Sequence, residues 1–306
     1  IMLYGVISLF FSMVAFFATF FEAGMIGKVL TALPAAIDKI ELAARERQRL
    51  QEDNVRMGAE LDVAKRIQAM ALPKREELTR CHGLDVAASM LTATEVGGDL
   101  YDVLPQPDGS TLFVIGDVTN HGLASGLVML MSQSALRICL EQEGASLIKS
   151  ITSLNAMLYK NVRERMGDSR SLSLALLHHQ DGQVRLAGQH ESIVLLRKGQ
   201  DAAEEIETGD LGIVVGLMDD IAPMVAETSF RIAPDDCMLL YTDGAIEAEN
   251  PHKEQYGITR LKESLARARS KPAEQIVDAL LTDLREFMAG TPLLDDVTLV
   301  VVRARA

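Results

Sequence analysis

Four short runs of aspartate and glycine carry the chemistry that this sequence offers. They are GGDLYD (97–102), IGDVTNHG (115–122), LYTDGAIEAEN (240–250) and DDVT (295–298). Each places an aspartate at or just beyond the end of a predicted strand, beside a glycine or a turn. Converging carboxylates without a cysteine or histidine cluster suit hard cations such as Mg²⁺ or Mn²⁺. A pair of such ions is a common device for hydrolysing phosphate esters.

Each run taken alone has a simpler interpretation. Asp-Gly is mainly a turn sequence, because both residues tolerate positive φ. In three of the runs, however, the acid stands beside an apolar, strand-like stretch. These stretches are TLFVIGD (111–117), CMLLYTD (237–243) and, in reverse order, DDVTLVVVR (295–303). Together the runs favour one cation site that the fold must assemble from distant parts of the chain.

The four runs resemble those of the metal-dependent Ser/Thr protein phosphatases of the PPM family, in its SpoIIE/RsbU-type branch. That branch reads approximately GGDxYD, GDVxGHG, YTDGxxEA and DDxT, and this chain matches all four in order and at similar spacing. The resemblance covers about residues 80–306. Asn120 stands where the branch usually has Gly, and Gln189, in AGQHES (187–192), stands where a His is common. Neither departure removes an expected metal ligand.

The resemblance implies two Mn²⁺ or Mg²⁺ ions held by residues of all four runs. The expected ligands are Asp99, Asp117, Val118 through its carbonyl, Asp243, Asp295 and Asp296. Asp117 would bridge the ions, and Asp117 and Asp243 are the expected catalytic residues. Asp99 would serve the ion that Val118 completes, and Asp243 and Asp295 would hold the other. Asp296 is the weaker candidate of its pair, because successive side chains on a strand point to opposite faces.

Four further residues are expected beside the ions, either near the substrate or behind the ligands: Gly98, Asp102, His121 and Gly244. The glycines would let the backbone approach the ions closely, and Asp102 would orient the ligands. His121 has the chemistry of a general acid. It lies four residues after Asp117, whereas distant relatives have a His two residues after the bridging Asp, so that role does not transfer directly.

The sequence from residue 84 onwards predicts the elements that must position these residues. Strands are predicted at 84–91, 111–118, 171–179, 183–188 and 237–243, and helices at 123–143, 146–166, 258–269 and 272–288. Asp181-Gly182 predicts a hairpin between two of the strands. This order predicts an α+β fold, a two-sheet antiparallel sandwich flanked by helices. The resemblance implies the same fold, with the ions at one edge between the sheets.

Residues 1–21 contain no charge and are long enough to cross a bilayer. They lack the basic start and the cleavage site of a signal peptide, so we expect a transmembrane helix. Basic residues downstream, such as Lys28 and Lys39, place the rest of the chain in the cytoplasm. The expected location is the bacterial inner (cytoplasmic) membrane, with the phosphatase domain in the cytoplasm. The span would be the last one of a longer sensor.

A juxtamembrane segment (22–34) and a helical linker (35–79) should join this span to the phosphatase domain (80–306). Pro34 and Pro73 bracket the linker helix. A heptad seam can be laid over it, with one core position at Ile40, Arg47, Asn54, Leu61 and Gln68 and the other at Ala43, Leu50, Met57, Ala64 and Ala71. The seam predicts a parallel coiled coil and a homodimer. The alternative is a solvated helix lying on the next domain.

The overall charge and the cysteines exclude some classes of partner and of site. A net charge of −13 and a pI near 5.0 argue against a nucleic-acid partner. Three cysteines far apart predict neither a disulfide framework nor a zinc site. The leading hypothesis is a membrane-tethered phosphatase acting on phosphoserine or phosphothreonine. The resemblance implies a phosphorylated STAS-domain anti-sigma-factor antagonist as its substrate. The alternatives are a non-catalytic metal-binding signalling scaffold and a two-metal phosphodiesterase or nuclease.

Overall fold

The computed structural model describes residues 2–94, 96–120, 122–142 and 144–305, and the chain divides into two compact units. One unit extends to Glu60, and the other extends from Leu61 to Ala306. A single helix, α1 (Met2–Ala71), accounts for the described part of the first unit and for the start of the second. The bracketing prolines led us to expect a helix that begins at residue 35, but α1 already begins at Met2. A proline removes one helical hydrogen bond, but it bends some helices without ending them.

The second unit alternates strands and helices in the predicted order. Its further helices are α2 (Arg75–Leu78), α3 (Leu123–Leu140), α4 (Leu147–Leu158), α5 (Asp243–Glu247), α6 (Gly257–Ala268) and α7 (Ala273–Met288), and a π-helical segment (Tyr159–Arg165) follows α4. Its strands are β1 (Leu84–Leu91), β2 (Asp99–Pro105), β3 (Thr111–Val118), β4 (Leu172–Gln180), β5 (Gln183–Ala187), β6 (Ile193–Leu196), β7 (Glu204–Ile206), β8 (Glu227–Arg231), β9 (Cys237–Tyr241) and β10 (Val297–Ala304).

The strands form two antiparallel sheets. The first sheet has the order β1-β10-β9-β6-β7, and the second has the order β2-β3-β4-β5-β8. The predicted hairpin joins β4 to β5, where Asp181 and Gly182 both adopt positive φ, 50° and 76°. This conformation is the one that a two-residue type I′ turn requires.

Three buried apolar clusters separate the layers of the second unit. Helices α6 and α7 cover the first sheet, with Leu265 and Ile276 at the contact. Phe113 and Leu240 belong to the cluster between the two sheets. Helices α3 and α4 cover the second sheet, with Ile151 buried there. The predicted α+β sandwich flanked by helices is confirmed.

Two of the described helical segments are long and apolar enough to cross a membrane. One is Leu123–Leu140, which is α3 and has a mean hydropathy of 1.5; it is 44% buried and packs on the second sheet. The other is Ile7–Gly24, with a mean hydropathy of 1.7 and none of it buried. It coincides with the predicted span, although a signal sequence near an N-terminus passes the same test.

The last turns of α1 pack within the second unit. Gln68 is buried there, and Leu61, Ala64 and Ala71 are half-buried. All four are predicted seam positions, so this last part of the seam packs on the chain's own domain. Farther upstream, the seam residues Leu50 and Met57 are 58% and 55% exposed. Any coiled coil would therefore use the helix before residue 61.

We predict that a chain beginning at Leu61 folds by itself and stays in solution, whereas one beginning at Pro73 is less stable. The shorter chain loses the two hydrogen bonds that Gln68 makes to Gly97, each contributing about 1 kcal/mol. Its melting temperature should fall by roughly 4–8 °C, since 1 kcal/mol corresponds to about 2–4 °C in a domain of this size. Thermal unfolding followed by circular dichroism measures both. Equal melting temperatures would show that the last turns of α1 contribute nothing to the domain.

Candidate metal centre

Two of the predicted ligands lie opposite each other at one end of the second sheet. Asp99 begins β2 and pairs in register with Asp117 near the end of β3. On β3, Asp117 shares its face with Phe113 and Ile115, which are buried between the two sheets. Both carboxylates therefore sit on the face that the second sheet turns toward the first.

The first sheet brings the other two acidic runs to the same place. Strand β9 ends at Tyr241, and Asp243 is the first residue of α5. Strand β10 begins just after Asp296 and pairs with β9 in antiparallel register, so the end of one strand lies beside the start of the other. A Cβ built on Gly244 would lie 2.0 Å from the Asp296 carbonyl oxygen, so the two runs touch.

Two threonine hydroxyls of the first sheet hold Asp99. Thr242 Oγ1 donates to Asp99 Oδ2 at 2.9 Å, and Thr298 Oγ1 donates to the same oxygen at 2.5 Å. Asp99 itself is buried, at 1% exposure. The two sheets are thus joined through one carboxylate oxygen. Both threonines stand within the acidic runs, but sequence analysis assigned no role to either.

Asp295 and Asp296 differ in burial and in hydrogen bonding. Asp296 accepts hydrogen bonds from the backbone N–H of Gly98 at 2.7 Å and of Ala93 at 2.8 Å, and it is 1% exposed. Asp295 is more exposed, and its described hydrogen bond comes from the N–H of Asp296. Both residues precede β10, so strand alternation does not decide between them. The hydrogen bonds leave Asp295 the freer carboxylate.

Gly97 and Gly98 leave room for these contacts. A Cβ on Gly97 would lie 2.4 Å from Asp296 Oδ2. A Cβ on Gly98 would lie 2.6 Å from the Val118 carbonyl oxygen and 3.2 Å from Asp117 Oδ1. Either side chain would therefore displace a carboxylate or the carbonyl that is expected to bind an ion. The two glycines form a cradle that places polar oxygens close to the backbone.

Burial and mutual repulsion together set the electrostatics of the site. Burial, followed by the charges of Asp243, Asp295 and Asp296, raises the pKa of Asp117 from its usual 3.8 to about 8. Burial and the charge of Asp117 raise the pKa of Asp99 well above its usual value. Among the described residues, none of these five carboxylates forms an ion pair with a Lys, Arg or His side chain. An acidic set of this kind fits divalent cations with oxygen ligands.

The carboxylates lie near one another but are not yet arranged as a complete set of metal ligands. Within the described ranges, no group of three or more acidic, histidine or cysteine side chains is already arranged to hold an ion. Further acids surround the set, since burial and the charges of Asp243 and Glu247 raise the pKa of Glu191. Glu247 is exposed. The negative field of the site therefore extends to its mouth.

Asp102 faces the helix layer and not the space between the sheets. Arg137 of α3 donates to it through Nε at 2.7 Å and through Nη2 at 3.0 Å. Gln133 Nε2 lies 3.3 Å from the same carboxylate and donates to the Ala71 carbonyl oxygen at 2.8 Å. Asp102 therefore fixes α3 against β2 and against the end of α1. Its predicted role of orienting the ligands stays a prediction.

Gln68 reaches the glycine cradle from the end of α1. Its Nε2 donates to the Gly97 carbonyl oxygen at 3.0 Å, and its Oε1 accepts from the Gly97 N–H at 3.0 Å. Gln68 is 3% exposed. Sequence analysis placed it on the coiled-coil seam and so missed this contact. A polar residue at a seam position was the one available signal.

The loop after β3 carries the two remaining residues of interest. His121, the candidate general acid, lies outside the described residues. Asn120 adopts a φ of 65°, in the left-handed region. Asn tolerates this region better than most residues, and Gly adopts it freely. The substitution of Asn for the usual Gly therefore preserves the shape of the loop.

We predict that the metal-free Asp117→Asn chain is more stable than the metal-free wild type. Between about pH 4 and pH 8 folded Asp117 keeps a proton that the unfolded chain has released, so wild-type stability falls as the pH rises through this window. At pH 7.5 the variant should melt roughly 2–8 °C higher, for a relief of about 1–2 kcal/mol. The gap should close near pH 4, and excess Mn²⁺ should reverse it, because only the wild type keeps the full ligand set.

Asp278→Asn is the matched control, because Asp278 is exposed on α7 and its substitution removes the same charge far from the centre. Its melting temperature should follow that of the wild type at every pH. If the metal-free Asp117→Asn chain melted below the wild type at pH 7.5, the conclusion that the Asp117 carboxylate destabilises the metal-free fold would be wrong.

Comparison with known proteins identifies the family. The family model described as stage II sporulation protein E (SpoIIE) matches residues 107–305. Protein IcfG of Synechocystis sp. is 26% identical over 267 residues, which is 79% of this chain and 41% of that protein. The chain thus spans about two-fifths of the length of this curated relative.

Solved structures share the fold. The SiaA-PP2C domain of Pseudomonas aeruginosa has a TM-score of 0.69 at 21% identity, over 82% of this chain and 97% of that one. The RsbU and RsbW domains of a Mycobacterium tuberculosis protein give 0.60 at 24%, over 74% and 61%. The SpoIIE phosphatase domain of Bacillus subtilis, with a fragment of its regulatory domain, gives 0.58 at 19%, over 72% and 64%. The family match and the shared fold agree with the arrangement of the acidic runs: the chain belongs to the SpoIIE family and carries a PP2C-type serine/threonine phosphatase domain.

Proposed function

We propose that this chain is a membrane-tethered phosphatase that hydrolyses phosphoserine or phosphothreonine in a protein with the help of two Mn²⁺ or Mg²⁺ ions. One observation carries the proposal. Asp243 from one run and the Asp295–Asp296 pair from another act on Asp117 of a third run. Together with burial, they raise its pKa. A turn-forming role for Asp-Gly does not require these charges to lie close together, whereas a cation site does.

The bound ions would supply an acidified water and positive charge against the phosphoryl oxygens. The chain's own residues would hold and orient them. Asp117, Asp243 and Asp295 offer carboxylate oxygens, and the Val118 carbonyl adds a neutral oxygen beside Gly98. Asp99, fixed by two threonines, would serve the ion on the side of the second sheet. Asp296 would act by keeping the Gly98 backbone in place.

The proposed substrate is a phosphorylated STAS-domain protein. Support comes from the resemblance of the four acidic runs to the SpoIIE/RsbU-type branch and from the match to the SpoIIE family. The acidic mouth around Glu191 and Glu247 disfavours nucleic acid, whose phosphates it would repel. Such a substrate would connect the enzyme to control of a sigma factor.

Two other functions remain as alternatives to test. A metal-binding scaffold of the same fold would bind Mn²⁺ without turnover. A two-metal phosphodiesterase would hydrolyse bis-p-nitrophenyl phosphate faster than p-nitrophenyl phosphate. The intact acidic runs favour a catalytic phosphatase over the scaffold, and the acidic mouth disfavours a nucleic-acid substrate.

We predict that Asp243→Asn lowers Mn²⁺-dependent hydrolysis of p-nitrophenyl phosphate at least a hundredfold, because a neutral amide is a poor ligand for a hard cation. The fold should survive, since Asp243 lies at the sheet edge and outside the apolar clusters. Asp278→Asn should keep wild-type activity. The same three proteins are then tested on a phosphoserine STAS protein, with phosphate release as the measurement. Near wild-type turnover by Asp243→Asn would defeat the two-metal mechanism, and no turnover by the wild type would favour the scaffold.

The proposed tether is the apolar stretch Ile7–Gly24. Its exposed phenylalanines, among them Phe10, Phe17 and Phe21, would face lipid. The phosphatase domain would then lie on the cytoplasmic side, because Lys and Arg follow the stretch. Retention of the full chain in washed membranes, against release of the chain beginning at Leu61, distinguishes a tether from a soluble enzyme.

The proposed dimer uses the exposed part of α1. Leu42, Leu50, Val55 and Met57 are large apolar residues that are more than half exposed on this helix. Leu50 and Met57 share the predicted seam with Asn54, and a polar residue at a core position can fix the register of a pair at some cost in stability. A marginal coiled coil of this kind would allow two arrangements of the paired helices.

Insertions beside Gly58 test the dimer and its control of activity. Each inserted residue turns the following helix by about 100°, so one, two or three residues should change the activity of membrane-bound chains. Seven residues should largely restore it, because they approximately restore the seam. Phosphate release from a phosphoserine protein is the measurement, and chemical cross-linking reports the dimer. Equal activity at every insertion length would reduce the helix to a passive tether.

A further inference from the structure

His190 joins the two sheets at the edge that carries the acidic runs. It lies in the loop between β5 and β6, and its Nδ1 is 2.9 Å from Ser173 Oγ of β4 in the second sheet. Its Nε2 is 3.1 Å from the carbonyl oxygen of Tyr241, the last residue of β9 in the first sheet. One imidazole ring therefore spans the gap between the sheets.

Both partners of His190 lie close to an expected metal ligand, one across a strand pair and the other along the chain. Ser173 lies directly opposite Asp117 in the register of β3 and β4. Its Oγ is 3.5 Å from the Asp117 carbonyl oxygen. Tyr241 precedes Asp243 by two residues, with Thr242 between them. The ring thus links the backbone beside Asp117 to the backbone that leads into Asp243.

The chemistry of the partners fixes the state of the ring. A carbonyl oxygen only accepts, so Nε2 must carry a proton and donate it to Tyr241. Nδ1 is then free to accept from the Ser173 hydroxyl, which can donate. Burial lowers the pKa of His190 to about 4, so the ring is neutral at pH 7. Both nitrogens are used, one as donor and one as acceptor.

The backbone holds His190 from both sides of the loop. Its N–H donates to Thr208 Oγ1 at 3.0 Å, and the Thr208 hydroxyl donates back to the His190 carbonyl oxygen. The preceding residue, Gln189, accepts from the Leu174 N–H at 2.7 Å. Thr208 is 1% exposed, so this clamp is inside the protein. The ring therefore has little freedom to leave its two partners.

We propose that His190 is a positioning residue that sets the separation of the two sheets at the metal centre, and so the distance between Asp117 and Asp243. This inference rests on the proposed two-metal function. A histidine that served packing alone would need neither polar partner. Here one ring nitrogen is directed to β4, which pairs with the strand that carries Asp117. The other is directed to the end of β9, which leads into Asp243. Losing the ring should loosen the metal centre while leaving the apolar clusters intact.

His190→Phe removes both hydrogen bonds and keeps an aromatic ring of similar size. His179→Phe is the matched control, because His179 is a buried histidine of β4 that accepts from the Gly182 N–H. It lies six residues from Ser173, or about 20 Å along the strand. Ser173→Ala removes only one of the two bonds of the His190 ring. His190→Gln can restore a donor near the position of Nε2.

Calorimetric titration of each metal-free full-length chain with Mn²⁺ gives the affinity directly, and kinetics on p-nitrophenyl phosphate give kcat and KM. We expect His190→Phe to weaken Mn²⁺ binding about tenfold and to lower kcat, with KM changed less than twofold. Ser173→Ala should weaken binding by a smaller factor, and His190→Gln should recover part of the loss. His179→Phe should bind Mn²⁺ within twofold of the wild type, even where its melting temperature falls.

Mn²⁺ affinity of His190→Phe within twofold of the wild type, or equally weakened in His179→Phe, would overturn the inference. If His190→Phe does not fold, Ser173→Ala decides, and unchanged Mn²⁺ affinity in that variant overturns the inference in the same way. A wild type that binds Mn²⁺ but hydrolyses no phosphate ester would contradict the proposed function alone. The tenfold loss of affinity in His190→Phe would then still support the positioning role.

Discussion

Five carboxylates from four distant segments meet at one edge of this sandwich, where their charges repel one another. The repulsion is visible in the raised pKa of Asp117, to which Asp243, Asp295 and Asp296 contribute. A fold does not bring like charges together without a stabilising compensation, and the compensation here is the burial of three apolar clusters around the two sheets. The edge itself is destabilising until a cation neutralises it.

Hydrogen bonds across the gap between the sheets keep this edge in shape. Thr242 and Thr298 fix Asp99, and His190 ties Ser173 to Tyr241. The backbone at the glycine cradle is held in turn by Asp296 and by Gln68. The last contact comes from the end of α1. A displacement of the end of α1 would therefore move Gly97 and, through Gly97, the adjacent Gly98, which precedes Asp99.

Local patterns in the sequence were enough to predict the acidic runs, the four long helices of the second unit and the strands β1, β3, β4, β5, β9 and β10. The strands β2, β6, β7 and β8 were not predicted. Continuous apolar runs identify β3 and β9, and the type I′ signal at Asp181-Gly182 identifies the β4–β5 hairpin. Contacts between distant segments were not predictable in this way. Gln68 fits a heptad as well as it fits a domain surface, because both place it on the buried stripe of one helix. The partner of a strand side chain depends on the layer that packs against its face of the sheet. Asp102 is an example, because it lies on the face covered by helices and pairs with Arg137 on α3.

The most direct test of the metal centre is to locate the ions. Crystals of the phosphatase domain soaked in Mn²⁺, with anomalous diffraction recorded at the manganese edge, would show them. We expect two peaks about 3.5–4 Å apart, with the Asp117 carboxylate between them and Asp243 and Asp295 at one of the two. Peaks that avoid Asp117, or a single ion bound elsewhere, would contradict the convergence of the four acidic runs on one catalytic site.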